Sequence, residues 1–224
     1  MENIPKDLKY QILPEELSQY DLSFKVIVIG DSGVGKTCLT NKATKNIFND
    51  NYNATIGFEF LTFNIKFNSK IVRLQIWDTC GQEIYRSLIT NFYRNTSMAI
   101  IVYAINDKES FENIDMWLKE LRMHANPAVK IILIGNKIDL DNERQVTTEE
   151  GEMYAQKNNL TKFIEASAKT GINTQNTFIN ISYLLYEDFI KHKDDSINSS
   201  YESITSLDKS DYKKNKRKKK SSCC

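Results

Sequence analysis

Hydrophobic and polar positions along the chain switch between two periods. Phe24-Lys25-Val26-Ile27-Val28-Ile29 is a short β-rich run that ends at Gly30, and helix-compatible spacing follows the glycines from Lys36 to about Lys45. Phe58 to Phe67 alternates apolar with polar residues, turns at Asn68-Ser69 and resumes from Ile71 to Trp77, which predicts an antiparallel hairpin. Three further apolar runs, Met98 to Ile105, Lys130 to Ile134 and Lys162 to Glu165, are each followed by helical spacing. Helices are expected at about Ser110 to His124, Thr148 to Asn158 and Asn173 to Lys191. Strand-helix alternation of this kind predicts an α/β fold, a six-stranded, mostly parallel sheet with helices on both faces. Ligands of such sheets sit beyond the C-terminal ends of the strands, so the informative loops begin at Gly30, Asp78, Asn136 and Ser167.

The periodicity also divides the chain. Residues 1–22 lack a clear period and read as an N-terminal extension, 23–191 as the packed domain, and 192–224 as a disordered tail rich in Ser, Asp, Asn and Lys. At 224 residues, one core with appendages is the expectation. An apolar fraction of 41% and a charged fraction of 26% exclude wholesale disorder and a membrane-embedded chain.

The net charge of +1 hides an asymmetry, because Lys213 to Lys220 is basic at every position except Asn215, and removing that tail leaves an acidic body. Such a run meets an oppositely charged surface, anionic lipid or nucleic acid. The body carries no basic stripe to continue it. Charges and prolines in the first 20 residues leave no signal-peptide core, so the protein is expected to be made and kept in the cytosol. Cys38 and Cys80 are isolated and Cys223 and Cys224 adjacent, which is neither a disulfide framework nor a zinc spacing.

Gly30-Asp31-Ser32-Gly33-Val34-Gly35-Lys36-Thr37 has the spacing of a P-loop between an expected strand and an expected helix. Its glycines let successive backbone N–H groups point at phosphate oxygens, the helix aims its positive end at the same anion, and Lys36 reaches the β and γ phosphates. The Thr37 hydroxyl is a ligand for Mg²⁺, a hard cation that takes oxygen donors. A P-loop does not separate ATP from GTP. Asn136-Lys137-Ile138-Asp139 does: the Asp139 carboxylate accepts from the N1–H and exocyclic amine of guanine, a donor pair adenine lacks. Asn136 bridges the base edge and the P-loop, the stem of Lys137 covers a face of the purine, and Ser167-Ala168-Lys169 supplies a backbone N–H to guanine O6.

With these motifs in order, the sequence resembles the Ras superfamily of small GTPases, and within it the Rab family, over nearly all of Phe24 to Lys191. The resemblance rests on residues 30–37, Thr55-Ile56-Gly57-Phe58-Glu59-Phe60, Trp77-Asp78-Thr79-Cys80-Gly81-Gln82-Glu83, 136–139 and 167–169, and Cys223-Cys224 point to Rab. It implies the P-loop GTPase fold and GTP or GDP, with Mg²⁺, bound by Ser32 through Cys38, Phe48, Tyr52, Thr55, Gly81, Asn136, Lys137, Asp139 and Ser167 through Lys169. Thr55 is then the switch I threonine that closes on Mg²⁺ and the γ-phosphate, Phe48 packs on guanine, and Tyr52 lies over the phosphates. Asp78 holds a water of the Mg²⁺ shell, the Gly81 N–H bonds the γ-phosphate, and Gln82 orients the attacking water, with Lys36 and Thr55 completing the catalytic set.

Slow GTP hydrolysis, stimulated by a GTPase-activating protein, follows from the lack of an arginine finger in cis. Effectors, expected to dock around Phe60 and Trp77, an exchange factor, a prenylation escort and a GDP-dissociation inhibitor are the implied partners of a monomer that binds no nucleic acid. Cys223 and Cys224 resemble a double geranylgeranylation site, and two chains anchor firmly where one does not. The implied location is the cytoplasmic face of an intracellular membrane, with a cytosolic pool, in vesicle trafficking. Three departures stand out: Cys80 where Rab proteins usually have Ala, Ala104-Ile105-Asn106 in place of an Asp-containing strand end, and the N-terminal extension.

Overall fold

The computed structural model describes residues 4–5, 8–50, 55, 57–81 and 90–192. The chain divides into two units, Met1–Leu184 and Leu185–Cys224. In the second, residues 185–192 are helical, with Lys191 and Glu187 paired at 3.2 Å one turn apart. The first runs β1 (Tyr10–Leu13), β2 (Leu22–Ile29), α1 (Lys36–Lys45), β3 (Phe58–Phe67), β4 (Lys70–Thr79), β5 (Met98–Ala104), α2 (Lys108–Glu112), α3 (Ile114–His124), β6 (Lys130–Asn136), α4 (Thr148–Lys157), β7 (Lys162–Glu165) and helical residues 174–184 as α5.

The strands form one seven-stranded sheet in the order β1-β3-β4-β2-β5-β6-β7. Pairings from β4 through β2, β5, β6 and β7 are parallel, and β1-β3 and β3-β4 are antiparallel. The α/β class, the hairpin and six of the strands are as the periodicity predicts. The sheet is seven-stranded rather than six because Tyr10–Leu13, in the stretch without a period, pairs with Asn64–Phe67 of β3. The approach to β2 is held by long-range polar contacts: Asn64 Nδ2 donates to Pro14 O at 2.7 Å, Arg73 donates to Leu17 O, and the Arg73 guanidinium lies 4.3 Å over the Tyr20 ring. A second difference is that the helix expected from Ser110 breaks into α2 and α3 at Asn113.

Side-chain alternation decides which residues reach the core. Leu61, Phe63, Ile65 and Phe67 of β3 and Val72, Leu74 and Ile76 of β4 are buried, each set at period two. On one face of the sheet Ile27, Ile29, Ile101, Tyr103 and Leu133 pack with Trp117, Leu118 and Leu121 of α3 and Ala155 of α4. On the hairpin, α5 meets the β3 side chains, with Phe63 against Phe178 at 6.1 Å and Phe67 against Tyr183 at 5.7 Å between ring centres. Local signals set the helix starts. Thr147 and Glu150 form a reciprocal capping box at α4, and Asp107 caps α2 by accepting from the Ser110 N–H.

The consequence for a ligand is the position of β2. It lies between β4 and β5, parallel to both, so the chain crosses to one side of it first and to the other afterwards. The crevice beyond its C-terminal end is the switch point of the sheet, and the loop leaving it is Gly30 to Thr37.

Candidate functional site

A cavity of about 630 Å³ opens at that end of the sheet. Its wall contains Ser32, Gly33, Gly35, Lys36, Thr37, Cys38, Phe48, Thr55, Gly81, Asn136, Lys137, Asp139, Ala168 and Lys169, so the four separate loops singled out in the sequence meet in one place. Val34 and Ser167 are buried and do not line the wall. Tyr52 and Gln82, like Cys223 and Cys224, fall outside the described residues.

At the phosphate end α1 begins at Lys36, so its unpaired N–H groups face the cavity. Lys36 is buried, and its ammonium donates to Gly30 O at 2.9 Å and Asp31 O at 2.7 Å. Burial pushes its pKa down to about 8, while the charges of Asp78 and Asp31 pull it part of the way back. Asp78 continues the inward face of Val72, Leu74 and Ile76 at the end of β4, so the strand register itself buries a carboxylate. Burial raises its pKa to about 6, opposed by a hydrogen bond from Thr37 and by the Lys36 charge.

Three oxygens are lined up here: Thr37 Oγ1 lies 2.5 Å from Asp78 Oδ2 and 2.6 Å from Thr55 Oγ1. The other carboxylate oxygen, Asp78 Oδ1, is buried without a hydrogen-bond partner. A buried, unpaired carboxylate oxygen beside two hydroxyls is a donor set suited to a hard cation. Gly35 is where the backbone needs glycine, because it sits at φ 92° and a Cβ there would lie 2.5 Å from Asn136 Nδ2.

At the base end, Asn136 spends both ends of its amide on the frame. Nδ2 donates to Val34 O at 2.8 Å and Oδ1 accepts from the Ala168 N–H at 3.2 Å. The residue therefore joins the phosphate loop to the loop after β7, and of the N–H groups of Ser167-Ala168-Lys169 that of Ala168 is directed at Asn136. Lys137 adopts the left-handed conformation at φ 69°, which starts the turn Ile138–Glu143 and brings Asp139 to the cavity, exposed. Ser167 Oγ donates to Asp139 Oδ1 at 2.6 Å and accepts from the Thr170 N–H at 3.0 Å, fixing one carboxylate oxygen.

Sequence reasoning missed Asn41, Lys45, Ile47, Asn49, Asp50 and Leu140 in the wall. For two of them a signal was present: Thr37, Asn41 and Lys45 follow one another at i, i+4 along α1 and share a face. Cys80 is buried, its N–H donating to Gly57 O at 3.0 Å, so its thiol is packed beside the site and not in the wall. Outside the cavity, Phe58 and Phe60 are about half exposed (49% and 46%) and pack on Trp77 at 5.4 and 5.3 Å. No helix among the described residues is long and apolar enough to cross a membrane.

Comparison with known proteins agrees with this geometry. A profile of the Ras family matches residues 25–187. The chain is 41% identical over 210 residues to the GTP-binding protein ypt3 of Schizosaccharomyces pombe, covering 92% of this chain and 98% of that protein. It is 46% identical over 169 residues to the Ras-related protein rab-11.1 of Caenorhabditis elegans, covering 75% and 80% of the two chains. Against the Ras-related protein RABA1b of Arabidopsis thaliana the identity is 44% over 167 residues, covering 75% and 77%. The chain belongs to the Rab family of the Ras superfamily, the guanine-nucleotide-binding small GTPases of vesicle trafficking.

Proposed function

We propose that the cavity holds GTP with Mg²⁺, hydrolyses it slowly to GDP and phosphate, and is accelerated by an activating protein. The observation that carries this reading is the row of oxygens Thr55, Thr37 and Asp78 beside the buried Lys36. Burial disfavours the charge on Lys36, and an arriving phosphate, opposite in sign, favours it. Thr37, Thr55 and Asp78 are the residues that would hold Mg²⁺, which when bound neutralises phosphate charge. Thr55 belongs to the loop before β3, so its engagement with Thr37 couples the γ-phosphate end of the site to that loop. The Gly81 N–H is assigned to the γ-phosphate and Gln82 to the attacking water.

No arginine stands in the wall among the described residues, which supports slow unaided turnover and an arginine supplied in trans. The apolar surface of Phe58, Phe60 and Trp77 beside the Thr55 loop is the proposed docking site for effectors of the GTP state. Cys223 and Cys224, behind the basic run, are proposed to carry two thioether-linked chains, installed through a prenylation escort and shielded in the cytosol by a GDP-dissociation inhibitor. Single-turnover hydrolysis of pre-bound GTP tests the enzymatic claim. The Gln82→Leu chain should turn over at least about tenfold more slowly than wild type, the loss of water positioning. No turnover by either would leave a binding-only protein, and equal measurable rates would take the water-positioning role away from Gln82. Replacing Cys223 and Cys224 by Ser should move the protein from membranes to cytosol, and persistent membrane association would overturn the lipid assignment.

A further inference from the structure

The phosphate loop contains a carboxylate, Asp31, that none of the nucleotide roles uses. A negative charge inside an anion cradle repels the ligand unless it is turned away. Here it is: Asp31 is absent from the cavity wall, and both of its carboxylate oxygens are held by α3. Asn113 Nδ2 donates to Oδ2 at 2.7 Å and Trp117 Nε1 donates to Oδ1 at 2.7 Å, from 82 and 86 residues away in sequence. Asn113 and Trp117 are one helical turn apart at the N-terminal end of α3, where the helix dipole also favours an anion. Asn113 makes no side-chain capping bond to its own helix, so its amide serves Asp31 and not the helix start.

The same residue meets the rest of the phosphate machinery through its backbone. Asp31 O accepts from Lys36 Nζ at 2.7 Å. Gly81 presses on the Asp31-Ser32 peptide so closely that a Cβ there would lie 2.3 Å from Asp31 C and Ser32 N. Side chain to α3, carbonyl to Lys36 and peptide against Gly81 leave the loop little freedom at this point.

We propose that Asp31 is a positioning residue: gripped by Asn113 and Trp117, it holds the phosphate loop closed on bound nucleotide and keeps its own charge away from the phosphates. This rests on the nucleotide reading of the cavity. Breaking the grip frees a carboxylate beside the phosphates, so GTP, with one more phosphate, suffers more than GDP.

The test is a double-mutant cycle on GDP release, followed by chase of a fluorescent GDP from the full-length chain. Asn113 is chosen because it is only half buried, whereas Trp117 is 1% exposed and its replacement also disturbs the core. Asn113→Ala should release GDP about tenfold faster, equivalent to about 1.4 kcal/mol. In an Asp31→Asn background, with no charge to set free, the same change should accelerate release by no more than about twofold. The ratio of GTP to GDP affinity should fall about threefold in Asn113→Ala, a readout that a purely structural tie leaves unmoved. Equal acceleration in both backgrounds, no acceleration by Asn113→Ala, or an unchanged affinity ratio would each overturn the proposal while wild type still holds GDP. A wild-type chain that holds no GDP would overturn the nucleotide reading, and this proposal with it.

Discussion

The two ends of the cavity are built on different terms. At the phosphate end the groups are buried and mutually constrained: Lys36 on two carbonyls, Asp78 on Thr37, and Gly35 with no room for a side chain. At the other end the carboxylate proposed to discriminate the base, Asp139, is exposed on a short turn and steadied by one hydroxyl. The difference teaches how the labour is divided. On the proposed reading, affinity for phosphate comes from a cradle organised before the ligand arrives, while selectivity for guanine hangs on the hydrogen-bond pairing of one residue. Asn136 is the common member, bonded to Val34 on one side and Ala168 on the other.

Substitutions at each end should separate these roles. Lys36→Ala removes the cation at the centre of the cradle, and GTP and GDP affinity should both fall at least about 100-fold in a competition assay, since bonds to charged groups are each worth about 1.5–3 kcal/mol. Asp139→Ala should weaken GTP by about 30-fold and, more tellingly, bring GTP and ITP to nearly equal affinity, because inosine lacks the exocyclic amine that the carboxylate reads. If that variant lost GTP and ITP equally and kept the preference, the base end would not be where guanine is chosen.

Ser167→Ala leaves Asp139 in place but unsteadied, and GTP binding should weaken about fivefold, the loss of one hydrogen bond of about 1 kcal/mol. Far from both ends, Arg73→Ala removes contacts to Leu17, Asn64 and Tyr20. It should lower unfolding stability in urea by about 1–2 kcal/mol while nucleotide affinity stays within about twofold of wild type.

The same contrast governs what could be read from the sequence. Six strands announced themselves because each carries its own period, and the P-loop and Asn136 to Asp139 because their spacing is local. β1 did not, since Tyr-Gln-Ile-Leu has no pattern of its own and is a strand only by pairing with Asn64–Phe67. The Asn113 break was hidden by helix-compatible residues on either side, and the partner of its side chain, Asp31, lies 82 residues away. Asp78 was legible as a motif member, but its burial and its unpaired oxygen follow from the register of β4 against its neighbours. Asn136 was expected to reach the phosphate loop, as its bond to Val34 O does, but its second bond, from the Ala168 N–H in the loop after β7, had no signal in the spacing. Composition gave almost nothing, because both ends of the cavity use ordinary residues in unusual company.

Displacement of fluorescent GDP from wild-type protein by GTP, ITP and ATP reads both ends of the cavity at once. With the phosphate end indifferent to the base and Asp139 choosing guanine, GTP should compete about tenfold better than ITP, and ATP at least about 1000-fold worse than GTP, each tenfold step being about 1.4 kcal/mol. ATP displacing GDP within tenfold of GTP would contradict the assignment of guanine recognition to Asp139.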